Sequence, residues 1–230
     1  MLTDTDLERF AAQLQQSRTL FAPLPPFTQD HPRFDTAAGY RVAQRVQQLR
    51  VAEGAVVAGR KIGFTNRNIW PEYNVFRPIW GDVYDTTVHD LADMGATIRV
   101  SHLPEPRIEP EIVLGLAKDI APDAGLDAIA AAIGWVAHGF EIVQSIFPDW
   151  RFTVADCVAD GGLHGALHVG PRRSIAQGER NDLAATLAAL RIELACDGKT
   201  VDRDVGANVL DGPLQALAHL VAVLGSDAGN

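Results

Sequence analysis

The chain reads as an α+β protein, with a helical layer at the N-terminal end and a mixed β core behind it. Three observations lead there. Two stretches within the first 54 residues carry apolar side chains at helical spacing. From Val56 onward, short β-branched runs alternate with punctuating glycines. One of these runs, Arg107-Ile108-Glu109-Pro110-Glu111-Ile112-Val113-Leu114-Gly115, begins polar and turns apolar, as a strand does on entering a core. The expected organisation is a helical subdomain over residues 1–54 and one structural unit over residues 55–230.

In order along the chain, Thr3 or Asp4 caps a first helix to about Leu20, with Leu7, Phe10, Ala11, Leu14 and Ser17 on one face. Phe21 to Pro32 holds four prolines and reads as an irregular connector. Asp35 caps a second helix to about Glu53, packed through Tyr40, Val42, Val46 and Leu49 and stopped by Gly54. Val56–Phe64 is a strand carrying Arg60 and Lys61. It resembles a phosphate-binding glycine loop only superficially: the lysine is displaced by one, no Ser or Thr follows, and Val-Val favours a strand. Asn66–Gly81 is a long loop with Trp70 and Trp80, followed by strands near Val83–Val88 and Thr97–Val100.

After the acidic strand, a helix opens at Asp123–Leu126 and ends near Gly134, and Trp135–Ile146 is a strand. Thr153–Ala159 is a short helix or irregular segment, and Gly161–Gly170 a glycine-rich loop leading into a strand with His164 and His168. Leu183–Ala195, with Leu and Ala at even spacings, leads to Asp197-Gly198, a hairpin signal, and Thr200–Arg203 returns. Asp211 caps a last amphipathic helix from Pro213 to about Leu224, ended by Gly225.

Side chains alternate on a strand, so Glu109 and Glu111 project the same way. Two adjacent carboxylates repel, and a hard divalent cation relieves them; the alternative is a pair of acids facing water from a sheet edge. Glu141 is a lone acid among Phe140, Ile142 and Val143, so it is protonated, paired or bound to a cation. This third acid strengthens the metal reading. A net charge of −9, from 20 basic and 29 acidic residues, excludes a nucleic-acid surface. Cys157 and Cys196 lack metal-site spacing and read as reduced core thiols of a cytoplasmic protein. The acidic N-terminus is no signal peptide, and no apolar segment approaches membrane-spanning length.

These pieces together resemble the fumarylacetoacetate hydrolase superfamily, in its branch of 2-oxo-4-pentenoate hydratases and 4-oxalocrotonate decarboxylases. The matching stretches are Gly59-Arg60-Lys61-Ile62-Gly63-Phe64-Thr65, Pro78-Ile79-Trp80-Gly81, Glu109-Pro110-Glu111-Ile112, Glu141-Ile142-Val143-Gln144-Ser145 followed by Asp149-Trp150, Val158-Ala159-Asp160, and Leu210-Asp211-Gly212-Pro213-Leu214 with Ala216-Leu217-Ala218. The resemblance implies a mixed β-roll core and a magnesium or manganese ion held by Glu109, Glu111 and Glu141. It implies catalytic roles for Lys61, His164 and Asp160, and contacts to substrate from Arg60, Phe64, Trp80 and Ser145. The substrate it implies is a small 2-oxo or 2-hydroxydienoate acid from aromatic breakdown, converted through a metal-chelated enolate by a homo-oligomeric enzyme.

The chain departs from that pattern in three places. Ile79 stands where hydratases commonly carry an acid. Gly161, Gly162 and Leu163 replace an Asn and small polar residues, with His164 as a substitute. The family's strand beyond the last helix has no counterpart before Asn230, so the expectation is that this strand is missing or the pocket is open on that side. Three readings therefore stand: a hydratase- or decarboxylase-type lyase, an acylpyruvate-type carbon–carbon hydrolase, and a non-catalytic partner subunit.

Overall fold

The computed structural model describes residues 2–94 and 97–227. Its helices are α1 (Asp4–Leu20), α2 (Phe27–Asp30), α3 (Thr36–Ala52), α4 (Trp70–Tyr73), α5 (Leu126–Ala132), α6 (Val154–Ala159), α7 (Leu183–Ala188) and α8 (Pro213–Asp227). Its strands are β1 (Val57–Gly63), β2 (Ile79–Tyr84), β3 (Val88–Asp90), β4 (Arg107–Leu116), β5 (Ile133–Val143), β6 (His164–Val169), β7 (Arg173–Ser174), β8 (Arg191–Cys196) and β9 (Lys199–Val205). The architecture is mixed α and β. One sheet runs in the order β3-β6-β5-β4 with β7 paired to β5, and β1-β2 and β8-β9 form two separate hairpins. The chain divides into two compact units. The first takes Met1–Gly63, Pro71–Glu109 and Phe140–His168, and the second takes Phe64–Trp70, Pro110–Gly139 and Val169–Asn230.

In the first unit, α1 begins with a reciprocal cap in which Thr3 Oγ1 accepts from the Asp6 amide and the Asp6 carboxylate accepts from the Thr3 amide. Its buried stripe is Leu7, Phe10, Ala11, Leu14 and Ser17. Fully burying a side chain the size of Leu7, Phe10 or Leu14 is worth about 1.5–3 kcal/mol, which holds the helix down where propensity alone would not. Phe10 meets Phe27 at 4.5 Å and Phe34 at 5.3 Å between ring centroids. Helix α3 packs on α6 at Gly39, where a β-carbon would stand 2.5 Å from the Ala155 carbonyl oxygen. Asp156 caps α6 together with Thr153 and also accepts from Thr28 Oγ1 at 2.6 Å, tying the proline-rich connector to the core. The antiparallel β1-β2 hairpin pairs Lys61 with Gly81, whose missing side chain admits the Gly161 carbonyl.

The second unit is built around Ile129, Ile133, Ile175, Leu183, Leu187 and Leu214. The Trp135 ring crosses Gly115 so closely that no side chain fits there. Asp197 and Gly198 both have positive φ, as a two-residue hairpin of this twist requires, and they close β8 on β9.

Several sequence expectations need correction. The connector contains the single helical turn α2, which fits between Pro26 and Pro32 and includes no proline. The loop at 66–81 contains α4, and β2 already begins at Ile79. The strand expected over Val83–Val88 is broken by a turn between β2 and β3. Thr97–Val100 is not a strand, and Leu49 is more than a third exposed. Leu183–Ala195 splits into α7 and β8, because Leu183 and Leu187, four apart, bury one helical face. Helix α8 passes through Gly225 to Asp227, and Asp211 has positive φ and pairs with Arg67 at 2.9 Å. Cys157 is buried, but Cys196 is exposed.

Contrary to expectation, Gly206–Ser226 is long and apolar enough to cross a membrane by length and composition. The segment opens with a 3-10 turn, and α8 itself holds 15 residues. That is about 22 Å of helix against a hydrocarbon layer of about 30 Å. Leu214 and Leu220 are moreover buried in the protein.

Candidate metal centre

Strand β4 carries Glu109 and Glu111 on one side, as period-two alternation requires. Glu141 stands on β5, the neighbouring strand of the same sheet. Each of the three offers a carboxylate oxygen, and these oxygens lie within 4.8 Å of one another. Carboxylates so close cannot all stay ionised without positive charge. Glu109 records the conflict: it reaches solvent, yet desolvation raises its pKa, and repulsion from Glu141 adds to the rise against the pull of Lys61 and Arg107. The donor set is all oxygen and densely anionic, which suits a hard divalent cation.

Glu141 is buried, and its two oxygens have separate partners. Lys61 Nζ donates to Oε2 at 2.6 Å, and His164 Nδ1 lies 2.6 Å from Oε1. Burial alone would raise this carboxyl; Lys61 and His164 outweigh it and hold the pKa down to about 2. An ionised Glu141 only accepts, so His164 Nδ1 is the donor. Desolvation lowers the His164 pKa, so the ring is neutral and its Nε2 accepts from Thr87 Oγ1 at 2.8 Å. Both ring nitrogens are thereby engaged, and the histidine orients Glu141.

Lys61 also donates to the Gly162 carbonyl at 2.8 Å. Gly162 has φ +71°, and a β-carbon there would stand 3.4 Å from Lys61 Cε, so glycine answers both the backbone and the packing. The same turn holds Asp160, fully buried, which accepts from Arg18 Nε at 2.6 Å. Burial pushes the Asp160 carboxyl up, and Arg18 pulls it back. Arg18 further donates to the carbonyls of Asp160 and His164, locking the start of β6.

Of the residues expected at the site, the fold brings Lys61, Glu109, Glu111, Glu141 and His164 together. Arg60 is not among them: it projects from the opposite face of β1, 3.3 Å from Asp82 and over the Trp80 ring. Trp80 stacks on Tyr40 on that same face. Ser145 is buried, and its hydroxyl donates to the Phe147 carbonyl. Phe64 has φ +54° and offers its carbonyl to Trp70 Nε1. Asp160 stands one step behind the site, in the turn that supports Lys61. Sequence reasoning missed Thr87, which sits in a turn without local signal. It also missed Arg18, whose position four residues after Leu14 on the buried stripe of α1 was a readable sign.

No family model matches the chain. It is 30% identical over 224 residues to a 2-hydroxyhexa-2,4-dienoate hydratase of Comamonas testosteroni, covering 97% of this chain and 81% of the relative. It is 28% identical over 215 residues to a 4-oxalocrotonate decarboxylase of a Pseudomonas species, covering 92% and 78%. Among solved structures it is similar to the 4-oxalocrotonate decarboxylase of Pseudomonas putida G7 complexed with magnesium and adipate. That match has a TM-score of 0.86 at 24% identity and covers 100% of this chain and 84% of the other.

Proposed function

The chain belongs to the 2-oxo-4-pentenoate hydratase and 4-oxalocrotonate decarboxylase branch of the fumarylacetoacetate hydrolase superfamily, and on that premise we propose that it is a divalent-metal-dependent hydratase-type lyase for a small 2-oxo or 2-hydroxydienoate acid. The observation that carries the reading is the meeting of three carboxylates with a lysine on one of them. Glu109, Glu111 and Glu141 would hold magnesium or manganese, as suits their all-oxygen donor set. Bound there, the ion would supply Lewis-acid polarisation of the substrate's 2-oxo group and charge to match its carboxylate.

The chain's own residues do the rest. Lys61 donates to Glu141 and to the Gly162 carbonyl, and holds its ammonium beside the acid cluster, where a substrate carboxylate or a migrating proton needs it. Neutral His164 keeps Glu141 ionised and aimed, with Thr87 fixing its tautomer. Asp160 and Arg18 brace the turn that supports Lys61. The β-roll description of the core, homo-oligomerisation and a cytoplasmic setting belong to this same reading.

Decarboxylation is the second reading, favoured by the relatives of that name and by Ile79 in the place of an acid. Both reactions deplete the ultraviolet band of a 2-hydroxydienoate. Magnesium-dependent loss of the band without carbon dioxide supports hydration, and loss with carbon dioxide supports decarboxylation. An unchanged band, with Lys61→Met no different from the parent protein, refutes the lyase reading.

A further inference from the structure

His168 takes no part in the metal centre described above. It stands near the end of β6, beyond His164 by about 13 Å along an extended strand. The residue is buried, and its Nδ1 lies 2.9 Å from the Met94 sulfur. A thioether only accepts hydrogen bonds, so the proton of the neutral ring is on Nδ1. Burial, and then the neighbouring His89, lower the His168 pKa, which keeps the ring neutral at neutral pH. Nε2 is then a bare lone pair, shut from water and without a hydrogen-bonding partner among the described residues. A buried acceptor in that condition is costly unless a ligand answers it.

β3 pairs with β6, and the His89 ring lies 5.5 Å from the His168 ring between centroids, inclined by 25°. Two imidazoles that share one ion at about 2.0 Å have their centres about 5–6 Å apart. The 3-10 turn Leu91–Asp93 follows β3 directly and returns Met94 to His168, so one short segment supplies both the second ring and the sulfur. Phe140, 5.6 Å away, gives the cluster an apolar wall. Among the described residues the one titratable group that acts on His168 is His89, itself a base. We propose that His168 Nε2 and the His89 imidazole bind a soft monovalent cation of the Cu(I) type, with Met94 holding His168 in the ligating tautomer. Two neutral nitrogen donors suffice for such an ion, whereas zinc takes four ligands and magnesium prefers oxygen. Without a carboxylate to offset it, a second positive charge is also costly to bury. A ligating histidine characteristically donates its other N–H, as His168 does to the sulfur. The acid cluster and this pair therefore divide cations by hardness, oxygen donors for the divalent ion and imidazoles for the soft one. The inference stands apart from the lyase reading, since it uses none of that site's residues.

The test is an anaerobic titration of Cu(I) against the chromogenic chelator bicinchoninate, with ascorbate present and magnesium saturating. Every sample carries Cys196→Ser, because the exposed thiol would compete for copper. The Cys196→Ser protein is expected to take one equivalent of Cu(I) from the chelator. Adding His168→Leu or His89→Phe should weaken that binding about 100-fold, and adding Met94→Leu about 10-fold. His89→Phe keeps a ring at a half-buried position and carries the test if His168→Leu does not fold. Carbon-13 methyl NMR gives a second reading. The chain's methionines are Met1 and Met94, so the Met94 signal is assigned by its loss in Met94→Leu, and it should shift with one equivalent of copper. A Cys196→Ser protein that takes no copper overturns the proposal, as does uptake left unchanged by both His89→Phe and His168→Leu. A Met94 signal that stays in place through the titration also overturns it. Zn(II) bound as tightly as Cu(I), with the same dependence on both histidines, refutes the choice of a soft monovalent ion.

Discussion

Neutralising Glu141 tests the centre of the site most directly. The carboxylate is buried and ionised, with two charge-assisted hydrogen bonds of 2.6 Å. Holding its pKa at about 2 instead of 4.5 corresponds to about 3 kcal/mol of folding stability at neutral pH. The sign follows from the depression: the contribution is complete above the unfolded value near 4.5 and is lost as pH falls toward the folded value. In Glu141→Gln the amide nitrogen must face either the Lys61 ammonium or the His164 N–H, each of them a donor. Breaking one side of such a buried pair costs about 3–5 kcal/mol. For a chain of this size the variant should therefore melt about 6–20 °C below the parent protein at pH 7. Urea unfolding of both proteins, with chelator present throughout, reads the gap at pH 7, 5, 4 and 3. A gap of about 3 kcal/mol at pH 7 that narrows below pH 4.5 is expected. A gap that stays constant down to pH 3 would show that Glu141 is not an ionised, paired group, and the account of the site would fail with it.

Three further outcomes follow from the same geometry. Chelator should abolish turnover and magnesium restore it, and Glu109→Gln or Glu111→Gln should raise the half-saturating magnesium concentration by about 10–100-fold or more. His164 is buried neutral with its pKa below 6.5, so the unfolded chain takes up a proton that the native ring refuses. Stability should fall as pH drops below 6.5, and His164→Gln should flatten that part of the urea-derived profile. A β-carbon on residue 81 would stand 2.5 Å from the Gly161 carbonyl oxygen, so Gly81→Ala should cost about 1–3 kcal/mol in thermal or urea unfolding.

Much of this was legible along the chain because local periodicity dictates which way a side chain points. The stripe Leu7, Phe10, Ala11, Leu14 and Ser17 is buried as spaced, and the Thr3 cap is in place. Alternation put Glu109 and Glu111 on one side of β4, and the apolar company of Glu141 marked it as an acid needing a partner. Where two periods compete, the reading broke down. Leu183 and Leu187 satisfy a spacing of four as well as one of two, and the buried core chose the helix. Adjacent basic residues misled in another way: Arg60 and Lys61 look like one feature in sequence but face opposite sides of β1.

The sequence by itself determined the acids, the lysine between two glycines, the caps and the tight hairpin turn, since these depend on neighbours within a few residues. Only the tertiary structure decided that Lys61 reaches Glu141 across 80 positions, that His164 comes from 23 positions away to share that carboxylate, and that Arg18 braces Asp160 from 142. Those meetings follow from the strand order β3-β6-β5-β4 and from the close backbone contacts at Gly81 and Gly162. Strand order is set by the total burial achieved over the whole chain, a quantity that no local pattern of residues contains.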